Sequence, residues 1–200
     1  MFNSAQLVLP DGNLGVRYDK IHLVPFGEFV PFRRLLTFAE SLTHDIGEFS
    51  RGNQRNVLPV DGHRVGTFIC YESIFPDEVR RFAQNGAEVF VNISNDGWFG
   101  EWGAPGQHLN MARMRAIENG RWLLRATNNG ITASASPFGE VVRASARNHR
   151  TVLLAPYAFE SRTTSYTRHG DWFAHTCAII SILALLIAAL SGRVPHWLSQ

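Results

Sequence analysis

Cys70 is the residue whose type and position best suit nucleophilic chemistry. It closes a short, mainly apolar run from Arg64 and precedes a helical pattern from Pro76, so it is predicted to lie at a strand-to-helix turn. Such a turn presents the sulfur to a cleft, where nearby backbone N–H groups can stabilise an oxyanion. On position alone, an inert buried thiol is the alternative. The polar pair Tyr71-Glu72 favours the functional interpretation, because a fully buried turn would leave these groups without partners.

Lys20 is the second candidate, because it is the only lysine among 19 basic side chains. Every other cation is an arginine, which indicates that this position requires an ammonium group. The alternative is an ordinary solvated lysine at the end of a strand.

Composition and charge argue against several classes of function. The formal net charge of +2 gives no basic surface of the kind that nucleic-acid binding requires. Cys70 and Cys177 are far apart in unlike contexts, which argues against a disulfide framework. His44, His149 and His169 have no partner at metal-ligand spacing, so no metal site is predicted.

The elements that would position Cys70 and Lys20 alternate between strands and helices. Asp11-Gly12-Asn13 is typical of a tight turn and predicts a hairpin near the start of the chain. Predicted strands are Ser4 to Leu9, Leu14 to Tyr18, Arg64 to Cys70, Val89 to Ile93, Arg121 to Thr127, Ile131 to Ala135, Val141 to Ala144 and Thr151 to Leu154; predicted helices are Pro31 to Thr43, Pro76 to Asn85 and His108 to Asn119. This alternation, with hairpins, favours a mixed α/β sandwich over a bundle or a barrel.

Trp172 to Leu190 is an almost uncharged segment followed by a short polar tail. About 20 apolar residues at ~1.5 Å rise span a ~30 Å hydrocarbon core, so the segment is predicted to be a transmembrane helix. A buried helix of a soluble core is the alternative, although such helices usually keep a polar stripe. Cys177 lies inside this segment and is predicted to be an inert apolar residue. Met1 to Pro10 lacks the pattern of a signal peptide.

Several blocks of the chain resemble, in order and spacing, the nitrilase or carbon–nitrogen hydrolase superfamily, and within it the apolipoprotein N-acyltransferase branch. The blocks run from Tyr18 to Glu28, over Cys70-Tyr71-Glu72, from Asn92 to Phe99, over Gln107-His108, from Met111 to Arg121 and from Arg125 to Gly130. They extend over nearly the whole chain, and several blocks in the right order are more specific than any short motif. Gly106 departs from the pattern, because relatives often carry an aromatic side chain there.

The resemblance implies an α/β fold: a nitrilase-like αββα sandwich, incomplete at its N-terminus and followed by one transmembrane helix. Residues 1–160 would be the C-terminal portion of the hydrolase domain, 161–171 a linker, 172–191 the transmembrane helix and 192–200 a short tail.

The resemblance also implies a Glu-Lys-Cys triad, in which Cys70 attacks an acyl carbonyl and Lys20 stabilises the developing oxyanion. The backbone N–H of Tyr71 would be the second oxyanion donor. An ammonium close to a thiol lowers the thiol pKa and lies where negative charge grows in the intermediate. Glu28 would orient Lys20, and Glu72 is a further glutamate that family members require. The alternative for both glutamates is an ordinary surface carboxylate.

The base of the triad is a glutamate that the family places upstream of Lys20. The chain offers only Asp11 and Asp19 as carboxylates before Lys20, so the base is expected to be missing. We therefore expect the chain to be a C-terminal fragment or a mis-started reading of a longer protein, inactive and unstable by itself.

The function that the resemblance implies is transfer of an acyl chain from a phospholipid, through a thioester on Cys70, to the N-terminal cysteine amine of apolipoproteins. No cofactor or metal is expected. The expected setting is the inner membrane of a Gram-negative bacterium, with a monomeric protein whose catalytic domain is periplasmic and whose partners are phospholipid and apolipoprotein.

Trp98, Phe99 and Trp102 lie in a glycine-rich loop, where they would either line an acyl-chain groove or fold back as loop packing. Two other functions remain open. One is a soluble-substrate amidase or nitrilase with the same triad, and the other is a non-catalytic, membrane-bound module.

Overall fold

The computed structural model describes residues 1–31, 49–99 and 103–191, with Phe99 described by its backbone alone. The chain divides into two compact units, Met1–Arg168 and His169–Gln200. The helix predicted from Pro31 to Thr43 falls almost entirely outside the described residues, and the predicted tail 192–200 falls wholly outside them.

An antiparallel ribbon begins the first unit. Strand β1 (Ser4–Val8) pairs with β2 (Leu14–Asp19), which ends directly before Lys20. Gly12 closes the turn with a φ of +81°, a conformation that glycine adopts without steric cost. The hairpin predicted around Asp11-Gly12-Asn13 is therefore confirmed.

A six-stranded sheet forms the centre of the first unit, in the order β3-β4-β5-β6-β7-β8. The strands are β3 (Val57–Val60), β4 (His63–Ile69), β5 (Val89–Ser94), β6 (Trp122–Thr127), β7 (Ala133–Ala135) and β8 (Val141–Ala144). Strands β4, β5 and β6 are parallel, and the outer strands pair antiparallel. Parallel strands need crossover connections. Helix α1 (Pro76–Gln84) connects β4 to β5, and helix α2 (Ala104–Asn119) connects β5 to β6.

The core lies between these two helices and the parallel strands. Phe68 of β4 packs against Phe82 of α1 and Phe90 of β5, with ring centroids 6.5 and 5.8 Å apart. Gly66 permits this closeness, since a Cβ there would lie 2.8 Å from that of Ala87. Burying a phenylalanine contributes about 1.5–3 kcal/mol. The core therefore fixes β4, the strand that ends at Cys70.

The mixed α/β class predicted from the sequence is confirmed, with local differences. Helix α2 begins at Ala104, four residues earlier than predicted, because Pro105 is tolerated in a first turn. Strand β3 was not predicted, since Pro59 disfavours a strand interior. Its hairpin with β4 turns at Asp61-Gly62, whose φ values are +48° and +81°. The strand predicted from Thr151 to Leu154 is wrong: this run has no ladder pairing, and Val152 is 87% exposed.

The segment that follows the sheet is hydrogen-bonded to the end of α2. The backbone oxygen of Arg162 accepts a bond from Arg121 at 2.6 Å, and the Thr164 hydroxyl donates to the Glu118 backbone oxygen at 2.6 Å. A short helix, α3 (Ser165–His169), lies within the residues predicted as a linker.

The second unit is described as one helix, α4 (Trp172–Leu190), of 19 residues. None of it is buried, and by length and composition it can cross a membrane. Its bounds agree with the predicted apolar segment.

A membrane-crossing α4 should resist alkaline extraction. We expect the full chain to stay in the membrane pellet after a carbonate wash, while a chain ending at Arg168 is released. Leu183→Arg with Leu186→Arg is the matched control at full length, because each arginine at a helix centre costs about 2.5–3.5 kcal/mol on insertion. Equal extraction of all three proteins would contradict a spanning α4.

Candidate active site

Cys70 lies at the carboxyl end of β4, as the first residue of a 3₁₀ turn, Cys70–Ile74. Its φ is +50°, a left-handed conformation that costs a non-glycine residue about 1–2 kcal/mol. The partly buried thiol places Sγ 3.9 Å from the backbone oxygen of Asn95, which follows β5. The predicted turn is thus present, with a backbone conformation of the kind that clusters at functional sites.

Lys20 directly follows β2, and its side chain is 1% exposed. Its Nζ lies 2.8 Å from Oε2 and 3.0 Å from Oε1 of Glu28. Glu28 also accepts hydrogen bonds from Asn3 Nδ2 at 2.7 Å and from the Val24 N–H at 2.8 Å. Both oxygens of this carboxylate are therefore bonded, and the buried ammonium has its counter-ion. Neither side chain is an ordinary surface group.

Glu72 is fully buried and accepts four hydrogen bonds. Its Oε1 accepts from the Tyr18 hydroxyl at 2.7 Å and from the N–H groups of Ile21 and His22 at 2.7 and 3.1 Å. Its Oε2 accepts from the Ile69 N–H at 2.7 Å. This carboxylate therefore joins two separate parts of the chain, residues 18–22 and the end of β4.

The Glu72 carboxylate is the contact that brings the Lys20 segment to the turn that begins at Cys70. Two of its donors directly follow Lys20, and a third directly precedes Cys70. Ile21 and Cys70 also pack against the same buried core. The ion pair and the thiol therefore belong to one region of the molecule.

Burial controls the protonation of the groups around Glu72. Burial raises the pKa of Glu72 above its ordinary value, and the hydrogen bonds from Ile69 and Tyr18 oppose that rise. Burial, together with the charge of Glu72, also raises the pKa of Tyr18. Tyr18 is thus a neutral hydroxyl that donates to the carboxylate.

A second buried carboxylate, Asp96, lies just past the end of β5 and is the centre of a polar group of side chains. Arg125 of β6 donates to both Asp96 oxygens at 2.9 Å, and the Ser94 hydroxyl donates at 2.6 Å. His108 of α2 places Nδ1 3.1 Å from Asp96 Oδ1 and 3.0 Å from Arg125. Arg125 also donates to Asn92. These five residues are called the Asp96 cluster below.

Hydrogen bonds and charge keep Asp96 ionised inside the protein. Burial alone would raise the pKa of Asp96, but the hydrogen bonds with His108 and Ser94 and the charge of Arg125 outweigh it and lower the pKa to about 2. Burial lowers the pKa of Arg125, which Asp96 opposes. A guanidinium remains charged at neutral pH even so.

The Asp96 cluster reaches Cys70 through His108, whose Nε2 lies 3.1 Å from the backbone oxygen of Cys70. Sequence reasoning missed this role, although all five residues lie in or beside the blocks quoted above. The fold also explains Gly130: a Cβ there would lie 2.0 Å from Asp96 Oδ2, so only glycine fits beside the carboxylate.

Of the four aromatic residues that the sequence analysis singled out, the structure describes the side chains of Tyr71 and Trp98. Tyr71 is partly buried, and its ring meets that of Phe75 edge-on at 5.2 Å. Trp98 is 75% exposed. The side chain of Phe99 and all of Trp102 lie outside the described residues. Within the described ranges, no group of three His, Cys, Asp or Glu side chains is placed to hold a metal ion.

Comparison with known proteins gives matches along most of the chain. The Carbon-nitrogen hydrolase family model matches residues 1–164. A protein named apolipoprotein N-acyltransferase from Geobacter metallireducens is 41% identical over 191 residues, which is 96% of this chain and 36% of that protein. One of the same name from Pseudomonas putida is 38% identical over 179 residues, 88% of this chain and 35% of that protein. The chain thus spans about a third of the length of these curated relatives.

A solved structure gives the same fold. The crystal structure of a carbon–nitrogen hydrolase from Helicobacter pylori G27 matches with a TM-score of 0.58 at 18% identity, over 74% of this chain and 54% of that chain. The predicted nitrilase-like α/β fold is therefore confirmed.

The bonds of Glu72 give a testable difference in stability. Glu72→Gln would turn an –NH₂ group towards a backbone donor and remove the charge, so we expect the free energy of unfolding to fall by about 3 kcal/mol. Tyr18→Phe removes one donor of the four and should cost about 1 kcal/mol. Guanidinium unfolding of the full chain in detergent measures both, and equal losses would show that the carboxylate is not the joining group.

The low pKa of Asp96 predicts acid sensitivity. Because the folded-state pKa of about 2 is below the ordinary value of 3.8, this group stabilises the fold above pH 4, and that contribution is lost as the pH falls through 2. The contribution is about 2 kcal/mol. The unfolding free energy of Asp96→Asn should therefore change less between pH 5 and pH 2 than that of the wild type, with Ser94→Ala intermediate. Parallel pH curves would contradict this assignment.

Proposed function

Because this chain belongs to the carbon–nitrogen hydrolase family, we propose that the protein carrying it transfers an acyl chain from a phospholipid, through a thioester on Cys70, to the N-terminal cysteine amine of apolipoproteins. The observation that carries the proposal is a buried lysine–glutamate pair tied through Glu72 to a cysteine in a left-handed turn. Relatives named apolipoprotein N-acyltransferase, similar over most of the chain, support the choice of reaction.

In the first half of the reaction, the Cys70 sulfur attacks the carbonyl carbon of a phospholipid ester. The oxyanion that forms is stabilised by the Lys20 ammonium and by the Tyr71 N–H, which is the kind of fixed electrostatic stabilisation that speeds acyl transfer. The C–O bond breaks, and the lysophospholipid leaves with the proton that the thiol gave up. An acyl thioester remains on Cys70.

In the second half, the acceptor's α-amine attacks the thioester carbonyl. The same donors stabilise the second oxyanion, the C–S bond breaks, and the amine proton returns to the Cys70 sulfur. An amide is the product. The chemistry needs no cofactor, because the nucleophile, the cation and the donor are all groups of the protein.

Both halves need a general base that exchanges protons with the sulfur and the amine. Glu28 and Glu72 suit this role poorly, because each oxygen of each carboxylate already accepts a hydrogen bond from a fixed donor. We assign them to positioning: Glu28 holds the Lys20 ammonium, and Glu72 holds the Lys20 segment. The base would be the glutamate that the family resemblance places upstream of Lys20.

A lipid substrate agrees with two apolar features of the chain. Helix α4 is long and apolar enough to cross a membrane. Trp98, just past β5, is 75% exposed and would contact the acyl chain. We place the protein in the bacterial inner membrane, with the catalytic unit on the periplasmic side.

Trapping of the acyl-enzyme tests this function. The chain replaces the matching segment of the Geobacter metallireducens relative, and the chimera is incubated with phospholipid. We expect one acyl mass on the peptide that contains Cys70, removed by hydroxylamine, because mild nucleophiles cleave thioesters and leave amides intact. Peptide mass spectrometry before and after hydroxylamine measures it.

The two cysteines provide matched variants for this experiment. Cys70→Ser should abolish both the label and the transfer to a lipopeptide, because a serine hydroxyl lacks thiolate chemistry. Cys177→Ser should leave both unchanged. Label on Cys177, or transfer that survives Cys70→Ala, would refute the role of Cys70.

A further inference from the structure

The peptide unit between Cys70 and Tyr71 carries two groups that matter for catalysis. Its carbonyl belongs to Cys70, and its N–H is the Tyr71 donor assigned above to the oxyanion. A trans peptide is planar, and its C=O and N–H point in opposite directions. Whatever holds this carbonyl therefore also aims the N–H.

His108 holds that carbonyl. Its Nε2 lies 3.1 Å from the Cys70 oxygen. A carbonyl can only accept, so Nε2 carries the hydrogen of this bond. The imidazole is 4% exposed, and the contact is therefore shielded from competing water.

The other ring nitrogen is fixed by the Asp96 cluster. Nδ1 lies between Asp96 Oδ1 and the Arg125 guanidinium, at 3.1 and 3.0 Å. Both neighbours are themselves buried and bonded to one another. The plane of the ring is therefore set by side chains from β6 and from the turn after β5.

The same cluster also holds β4 two residues before the nucleophile. Asn92, which accepts from Arg125, donates its Nδ2 to the backbone oxygen of Phe68 at 3.1 Å. The oxygens of residues 68 and 70 are thus both bonded to one buried network. The left-handed backbone of Cys70 has an external support, as a strained conformation requires.

We propose that His108 is a positioning residue for the oxyanion site: through its bond to the Cys70 carbonyl it aims the Tyr71 N–H at the reacting carbonyl, with Asp96 and Arg125 fixing the ring. Donation to the carbonyl also polarises the amide, which makes the N–H a stronger donor. The catalytic part of this inference rests on the proposed use of Cys70 as an acyl nucleophile.

Two substitutions separate the two ends of the imidazole. In His108→Gln the side-chain amide nitrogen can stand near the position of Nε2, so the donor to Cys70 is retained. In His108→Asn the shorter amide stands near Nδ1, so contact with Asp96 is retained and the donor to Cys70 is lost. Thermal unfolding of both variants checks that the fold survives.

Chemistry at Cys70 is measured by two reactions of the full chain in detergent, with Cys177→Ser as the background. Acylation by a p-nitrophenyl ester passes through an oxyanion, whereas alkylation by iodoacetamide does not. Both are run at alkaline pH, where a thiol ionises without a general base. We expect His108→Asn to slow acylation on the order of 10²–10³-fold, as loss of an oxyanion donor does. Alkylation should be little changed, and His108→Gln should recover most of the acylation rate.

The geometry is measured without any reaction. The dipeptide Cys70-Tyr71 is the only Cys-Tyr pair in the sequence, so labelling with [1-¹³C]cysteine and [¹⁵N]tyrosine gives one carbonyl-to-amide NMR correlation. Its carbonyl signal should move upfield in His108→Asn and stay near the wild-type position in His108→Gln.

The outcomes separate this inference from the proposed function. If the wild-type chain is acylated by the p-nitrophenyl ester but the chimera gains no acyl label from phospholipid, the phospholipid function is refuted and the role of His108 stands. Three results would overturn the positioning role. They are a wild-type chain that the ester does not acylate, equal slowing of acylation and alkylation in His108→Asn, and a Cys70 carbonyl signal that does not move in His108→Asn.

Discussion

The site depends on one buried carboxylate, that of Glu72, which joins the Lys20 segment to the Cys70 turn. Glu72 accepts hydrogen bonds from two separate backbone segments. Ile21 and His22 lie next to Lys20, and Ile69 lies next to Cys70. Lys20 and Cys70 are 50 residues apart in sequence, and no strand pairing joins β2 to β4. A charged acceptor with four donors makes this junction specific, because each donor that is lost removes a hydrogen bond that offsets the desolvation of the buried carboxylate.

Two buried carboxylates thus divide the task of holding a strained turn. Glu72 accepts a hydrogen bond from the N–H of Ile69, and Asp96 acts through His108 on the carbonyl of Cys70. The turn is therefore held at the peptide unit that follows Cys70 and at the one that precedes Ile69. The apolar core under β4 stabilises the fold, but hydrophobic contacts do not fix the orientation of a peptide group. The hydrogen bonds to the two carboxylates fix that orientation, and burying the charges costs desolvation free energy. Such a division suits the proposed role of Cys70, whose sulfur must stay partly accessible.

The sequence predicted what local patterns determine. Turn chemistry at Asp11-Gly12 and the apolar periods of β4, β5 and both helices located most elements, and family resemblance identified Cys70, Lys20, Glu28 and Glu72. Strand β3 was missed because Pro59 disfavours a strand, and Thr151 to Leu154 was overpredicted because apolar residues do not by themselves provide a ladder partner. The Asp96 cluster was missed because its ion pair joins residues 29 apart in sequence. Only the fold shows that such groups meet.

The most direct test of this account is amide hydrogen exchange at Ile21 and His22 in the wild-type chain. Both residues lie in a bend outside any strand of the described structure, and their N–H groups are bonded to the buried Glu72 carboxylate. Exchange measured by NMR should therefore be slow at both positions, and as slow as that of the neighbouring strand amides, because each opening must break the junction. Exchange at the rate of an unstructured peptide would contradict this, because it would show that Glu72 does not join the Lys20 segment to the Cys70 turn.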